Sequence, residues 1–243
     1  MYITSKNLNK RSKSELDAFE KETGLILPIS YRNFLETFGT GTYAGVFVIE
    51  FPDDVRLIDF ANYDLWNHEN APITQEEIGE CTCLVSSVGG DFLAIHKNVN
   101  DLILIPRHSE EIKLFQIING DFRATLNNVF KCIGYGEESD IFNYFATGRS
   151  SYSKFMRFYS NSAGLLRLIE LFKSTFPCNF IMETKFEYTL FLYSMGGCVC
   201  FNHLETISTD EIHRGVTIAC DDYGGDVFND VVAFLRRNMV QDL

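Results

Sequence analysis

Cys198, Cys200 and His203, spaced Cys-Val-Cys-Phe-Asn-His, come closest in this chain to a set of residues that could do chemistry. Zinc is held by four tetrahedral ligands, and structural sites favour a Cys-x-x-Cys turn that aims both sulfurs at one ion. Cys-x-Cys in a strand puts both thiols on one face, with His203 beyond a turn. Cys81 and Cys83 repeat that spacing but lie far away in sequence. Small thiols buried in strands are the simpler reading. A cysteine nucleophile with His203 or His213 as its base finds no recognised signature around it. The five histidines (His68, His96, His108, His203 and His213) are dispersed, with no His-x-x-x-His pair. No Walker loop, dinucleotide fingerprint or Gly-x-Ser-x-Gly elbow occurs. The sequence therefore assigns no catalytic residue, no metal ligand and no cofactor.

Charge says more. The chain carries 33 acids against 21 lysines and arginines, a net −12. Residues 50–80 concentrate it, with nine acids against Arg56 alone, a balance of −8. Such a segment repels phosphates, which argues against direct nucleic-acid binding and for a basic protein partner. The long polar connection between strand candidates is where contacts collect. Asp53, Asp54, Asp59, Asp64, Glu69, Glu76 and Glu77 are the expected partner-binding acids. Tyr63 and Trp66, the only tryptophan, supply an aromatic pair among them, the composition of a binding hot spot. The plainer alternative is that the charges are solvated and Trp66 fills the core.

These residues need elements to hold them. Ser12 and Glu15 have capping-box spacing, Leu16 and Phe19 share a face, and Gly24 can end the helix. Pro28 suits a helix start, and Tyr31, Phe34, Leu35 and Phe38 form an apolar stripe closed by Gly39. A strand is expected over Ala44–Phe51, a turn at Pro52-Asp53-Asp54, and a return over Val55–Phe60. Pro72 and Thr74 open a short acidic helix. Strands are then expected at Cys81–Val88, Phe92–His96, Leu102–Pro106 and Lys113–Ile118, with a helix from Asp121 to Ile133. Glu138–Thr147 reads as a further helix. The Ser/Gly-rich stretch Gly148–Ser153 separates residues 1–147 from 152–243. Beyond it, helices are expected at Ala163–Thr175 and Asp226–Met239, with Asp226 as N-cap. The strands between them are Cys178–Glu183, Tyr188–Tyr193, Cys198–Phe201 and Val216–Cys220. The expected class is α+β, a sheet with helices packed on one face, followed by a smaller α/β domain or lobe. No apolar run approaches the roughly 18–20 residues of a membrane helix. No apolar stretch follows Lys6, Lys10, Arg11 and Lys13, so a signal peptide is not expected. Seven cysteines, an odd number, fit reduced thiols in the cytoplasm.

The order of a capped charged helix, Leu27-Pro28, an aromatic helix with Phe34-Leu35, a glycine turn, and Gly89-Gly90-Asp91-Phe92-Leu93 entering a strand resembles the SUKH superfamily over residues 12–145. That family includes fungal cell-wall synthesis regulators and bacterial immunity proteins. Gly39-Thr40-Gly41 stands where many members have Asn-Gly-Gly. Gly89-Gly90-Asp91-Phe92 is also similar to the diguanylate-cyclase signature, but lacks its acidic residue and any upstream phosphate loop, so a tight turn is the reading. The resemblance implies a noncatalytic binding protein that neutralises a cognate toxin, in that family often a nuclease. A regulatory scaffold is the alternative, and a metal-dependent or cysteine enzyme a second one.

Overall fold

A computed structural model of the chain describes residues 1–5, 7–63, 65–133, 143–147, 152–184, 187–202, 212–221, 223–238 and 240–242. It divides into two compact units. One is Leu8–Gly148; the other joins Met1–Asn7, which holds the short strand β1 (Tyr2–Ile3), to Arg149–Leu243. The first seven residues thus go with the C-terminal unit, where the sequence placed them with the N-terminal one. Both units combine helices with antiparallel strand pairs, and the protein is α+β.

The first unit begins as its sequence signals. The Ser12 hydroxyl accepts from the Glu15 N–H (3.3 Å), and the Glu15 carboxylate accepts from the Ser12 N–H (2.7 Å), starting α1 (Lys13–Thr23). Gly24, at φ 70°, ends it. Pro28 is the N-cap of α2 (Ile29–Thr37), whose Tyr31, Phe34 and Leu35 are buried. Where one strand was expected, β2 (Gly41–Tyr43) and β3 (Phe47–Asp53) form a hairpin. Its turn puts both Ala44 (φ 53°) and Gly45 (φ 71°) at positive φ, which matches the twist of the flanking strands. The short helix α3 (Gln75–Ile78) follows, then β4 (Thr82–Ser87), β5 (Phe92–His96), β6 (Val99–Ile105), β7 (Lys113–Phe115) and α4 (Phe122–Ile133). The helix expected over 138–147 falls partly outside the described residues, and Tyr144–Ala146 is strand β8, paired with β2.

From β8 the strand order runs β8-β2-β3-β4-β5-β6-β7. Register puts Phe145, Tyr43, Phe47, Val85, Leu93 and Leu104 on one side. There, Phe34 meets Phe145 (5.4 Å) and Phe122 (6.2 Å), and Phe47 meets Phe130 (6.4 Å), so α2 and α4 cover that side. Ala94, Ile103 and Ile105 face the other side. They are buried with Leu57, Trp66, Ile73 and Ile78. The acidic segment itself is therefore the second covering layer.

The second unit holds β9 (Tyr152–Ser160), α5 (Ser162–Thr175), β10 (Phe180–Glu183), β11 (Glu187–Leu192), β12 (Gly197–Asn202), β13 (Ile212–Cys220), α6 (Asp226–Arg237) and β14 (Gln241–Asp242). Its sheet runs β10-β11-β12-β13-β9-β14. Met156, Val216, Ile218, Val199 and Leu190 pack with Leu165, Ile169 and Phe172 of α5 and with Val231 and Leu235 of α6. Gly225, not Asp226, is the N-cap of α6, leaving Asp226 in the first turn, where its charge favours the helix dipole.

Candidate functional site

The acidic segment turns inward through one aspartate. Asp53 Oδ1 accepts from the N–H groups of Val55 (3.1 Å) and Arg56 (2.9 Å), which bends the chain away from the sheet. The return strand expected at Val55–Phe60 does not form. Leu57 is buried, while Val55 and Ile58 are left 64% and 49% exposed. A single turn of 3-10 helix, Phe60–Asn62, follows. Trp66 then enters the core at 7% exposure, its indole N–H donating to the Pro106 carbonyl (2.8 Å). The Asn67 N–H donates to the Glu110 carbonyl (2.8 Å).

Gln75 holds the segment together from within. Its amide nitrogen donates to the carbonyls of Ala61 (2.7 Å) and Tyr63 (2.5 Å), and its Oε1 meets His68 Nε2 (2.8 Å). His68 Nδ1 meets the Ile73 carbonyl (3.1 Å). A second capping box, Thr74 with Glu77, starts α3. The connection is a packed layer with fixed backbone, which makes its outer side a defined surface.

The acids of that surface divide into two groups. Arg56 pairs with Glu50 and with Asp53 (3.3 Å). Glu77 accepts from the Thr74 backbone N–H, which holds its carboxyl below the usual glutamate range. Glu80, paired with Lys97 (2.5 Å), is lowered likewise. Asp54, Asp59, Glu69 and Glu76 are exposed and have no ion pair among the described residues. Asp64 lies outside the described residues. Tyr63 (55%) and Leu65 (54%) are exposed among these acids. Trp66 is not on the surface beside Tyr63, because its indole fills the space over β6. Sequence reasoning missed Val55, Ile58 and Leu65 as surface groups, because Val55–Phe60 reads as a strand and Leu65 stands alone in a polar stretch without a period.

Below this layer lies a groove of about 710 Å³, lined by Phe60, Trp66 and Phe92, with Arg107 and His108 at its rim. The Gly89-Gly90-Asp91 turn borders it. Gly90 sits at φ 93°, and the buried Asp91 carboxylate accepts from the Ser87 hydroxyl (2.6 Å) and the Arg107 N–H (3.0 Å). That aspartate is a structural clasp between two strand ends. Nothing in the sequence had marked Arg107 or His108, which are separated from the aromatic residues by tens of positions.

All seven cysteines are free thiols. Cys198 and Cys200 share one face of β12, where burial pushes the Cys198 thiol up to about 12 and raises Cys200 as well. Burial also raises Cys81 and Cys83, each to about 12. Thiols shifted this way carry almost no thiolate near neutral pH, the form that attacks or ligates. His203 lies outside the described residues. Among the described residues no group of three His, Cys, Asp or Glu side chains could hold a metal ion, and no helix is long and apolar enough to cross a membrane. Comparison with protein-family models, curated proteins and solved structures finds no match.

Proposed function

We propose that this is a noncatalytic binding protein that engages a basic protein partner through the outer side of residues 54–76. One observation carries the reading: Val55, Ile58, Tyr63 and Leu65 are exposed among Asp54, Asp59 and Glu69, acids with no ion pair among the described residues, on a backbone fixed from below. Apolar groups that lose water in a complex supply affinity, and surrounding charge supplies orientation and rate. The resemblance to SUKH immunity proteins supports a toxin as the partner, with a nuclease in keeping with the charge, since such enzymes present cationic surfaces to phosphates. The encounter would take place in the cytoplasm.

The test is capture of partners from an extract of the source cells by the parent protein and by a variant carrying Asp54→Lys, Asp59→Lys, Glu69→Lys and Glu76→Lys. The parent should retain a basic protein whose association slows as salt rises. The variant, with an unchanged circular dichroism spectrum, should bind it at least tenfold more slowly. Equal rates for the two would place the interface elsewhere.

A further inference from the structure

The groove under the acidic layer carries an assignment that does not rest on the protein partner. Its floor is apolar, built from Phe60, Trp66, Phe92, Ile105 and Pro106. Phe60 and Phe92 meet edge to face at 4.9 Å. The indole N–H of Trp66 is already bonded to Pro106, so the ring offers the groove carbon and no donor.

Arg107 stands at the rim, and its position is unusual in this unit. Residues 8–148 hold five arginines, four of which have a carboxylate partner. Arg11 pairs with Glu15 (3.5 Å), Arg32 with Asp17 (2.5 Å), Arg56 with Asp53 (3.3 Å) and Arg123 with Asp121 (2.8 Å). Arg107 has none among the described residues, in a stretch where 22 acids face 11 lysines and arginines. Asp91 meets the Arg107 backbone N–H and the Ser87 hydroxyl, and forms no ion pair with the Arg107 guanidinium among the described residues. The Arg107 side chain instead lies across Gly90: a Cβ there would stand 2.8 Å from Arg107 Cδ and 3.1 Å from Nη1. Glycine at this position lets the guanidinium rest beside the groove.

We propose that the groove binds a carboxylate carried on an aromatic or large aliphatic body, the body on the Phe60–Trp66–Phe92 floor and the carboxylate on Arg107. A guanidinium fork takes a carboxylate through two parallel N–H···O bonds. An apolar lining with one well-placed charge is the common form of a small-ligand site. Glu110 shares the rim and disfavours polyanions such as nucleotide phosphates. The same chemistry is offered by a free aromatic acid and by the last residue of a peptide.

Trp66 is the only tryptophan, so its fluorescence reports occupancy directly. The probes are N-acetylphenylalanine, its primary amide, and a hexapeptide ending in phenylalanine with a free or an amidated C-terminus. The free acids should give a saturable change, and each amide should bind at least tenfold more weakly. Tighter binding of the hexapeptide than of N-acetylphenylalanine assigns the site to chain ends; equal binding assigns it to free acids. Arg107→Gln should lose the preference for acid over amide while its melting curve matches the parent, and Arg107→Lys should retain part of it. Gly90→Ala, which forces the Arg107 side chain aside, should weaken acid binding in the folded fraction. Equal binding of acid and amide, no saturation, or an unchanged preference in Arg107→Gln would overturn the assignment.

Discussion

Trp66 shows how one residue can satisfy two chemistries at once. Composition alone marks it as an anchor for a partner, and the structure uses it to seal the core between the acidic layer and β6. The ring is large enough that its removal leaves a cavity the layer cannot close, because Gln75 and the Asn67–Glu110 bond fix the backbone on both sides. Trp66→Ala should cost about 3–5 kcal/mol of stability, read as a shift in the denaturant midpoint by circular dichroism. Trp66→Phe should cost less, because most of the apolar volume stays and the Pro106 carbonyl loses one donor. A small shift for Trp66→Ala would mean that the indole contributes little to the core. The sequence could not choose between anchor and core here. A lone aromatic in a polar segment has no periodicity, and the partner of its N–H, Pro106, lies 40 residues away.

At the scale of elements, what was legible followed from local rules. Both capping boxes are written in four-residue spacings, Ser12 to Glu15 and Thr74 to Glu77, and both form. What stayed hidden depended on distant pairing or on backbone angles that residue type does not announce. The β2–β3 turn places Ala44 at positive φ, a residue that gives no turn signal. Strand β9 carries apolar and aromatic residues on both faces, with Met156 and Phe158 buried and Phe155 and Tyr159 exposed, so no clean alternation marks it. It forms because β13 pairs with it along its whole length. The acidic layer was visible as a charge run, but its inner face was not, since Leu57, Trp66, Ile73 and Ile78 follow neither a helical nor a strand period.

The boxes also carry a pH signature. Glu15 and Glu77 are both held below the ordinary value of 4.5, chiefly by backbone N–H groups of Ser12 and Thr74. A folded-state value below the unfolded one means that the contribution is complete above about 4.5 and fades as pH falls through the lower folded value. Thr74→Ala should cost about 1 kcal/mol with little dependence on pH, because it removes the hydroxyl that accepts from the Glu77 N–H and keeps the backbone N–H that donates to the Glu77 carboxylate. Glu77→Gln should be less stable than the parent at neutral pH, and its deficit should shrink as pH falls below 4.5, because protonated Glu77 then loses its charge-assisted bond from the Thr74 backbone N–H. Thermal melts of the parent and both variants across that range check this; a deficit independent of pH in Glu77→Gln would remove Glu77 from the account.

For the whole molecule, the compact unit that holds Arg149–Leu243 also takes in the first seven residues, Met1–Asn7. The attachment is specific. Tyr2 stacks on Phe180 (5.3 Å, 13° between planes) and meets Phe191 edge-on (5.8 Å). Burial raises its phenol, and Tyr2 Oη has no hydrogen-bond partner among the described residues. The ring thus contributes through contact, with its hydroxyl a small liability. Tyr2→Phe should be neutral or slightly stabilising, since it removes an unsatisfied polar atom and keeps both ring contacts. Tyr2→Ala should lose both pairs, each worth about 0.5–1.5 kcal/mol beyond the buried area. The two units carry separate reporters. Trp66 reads the first, and the thiols Cys198 and Cys220, in strands β12 and β13, read the second. In Tyr2→Ala, peptide-resolved labelling of Cys198 and Cys220 under partial denaturation should quicken several-fold, while the Trp66 midpoint stays within error of the parent. If the Trp66 transition instead moves and the labelling does not, the first seven residues stabilise the N-terminal unit, and the division of the chain at residue 7 is wrong.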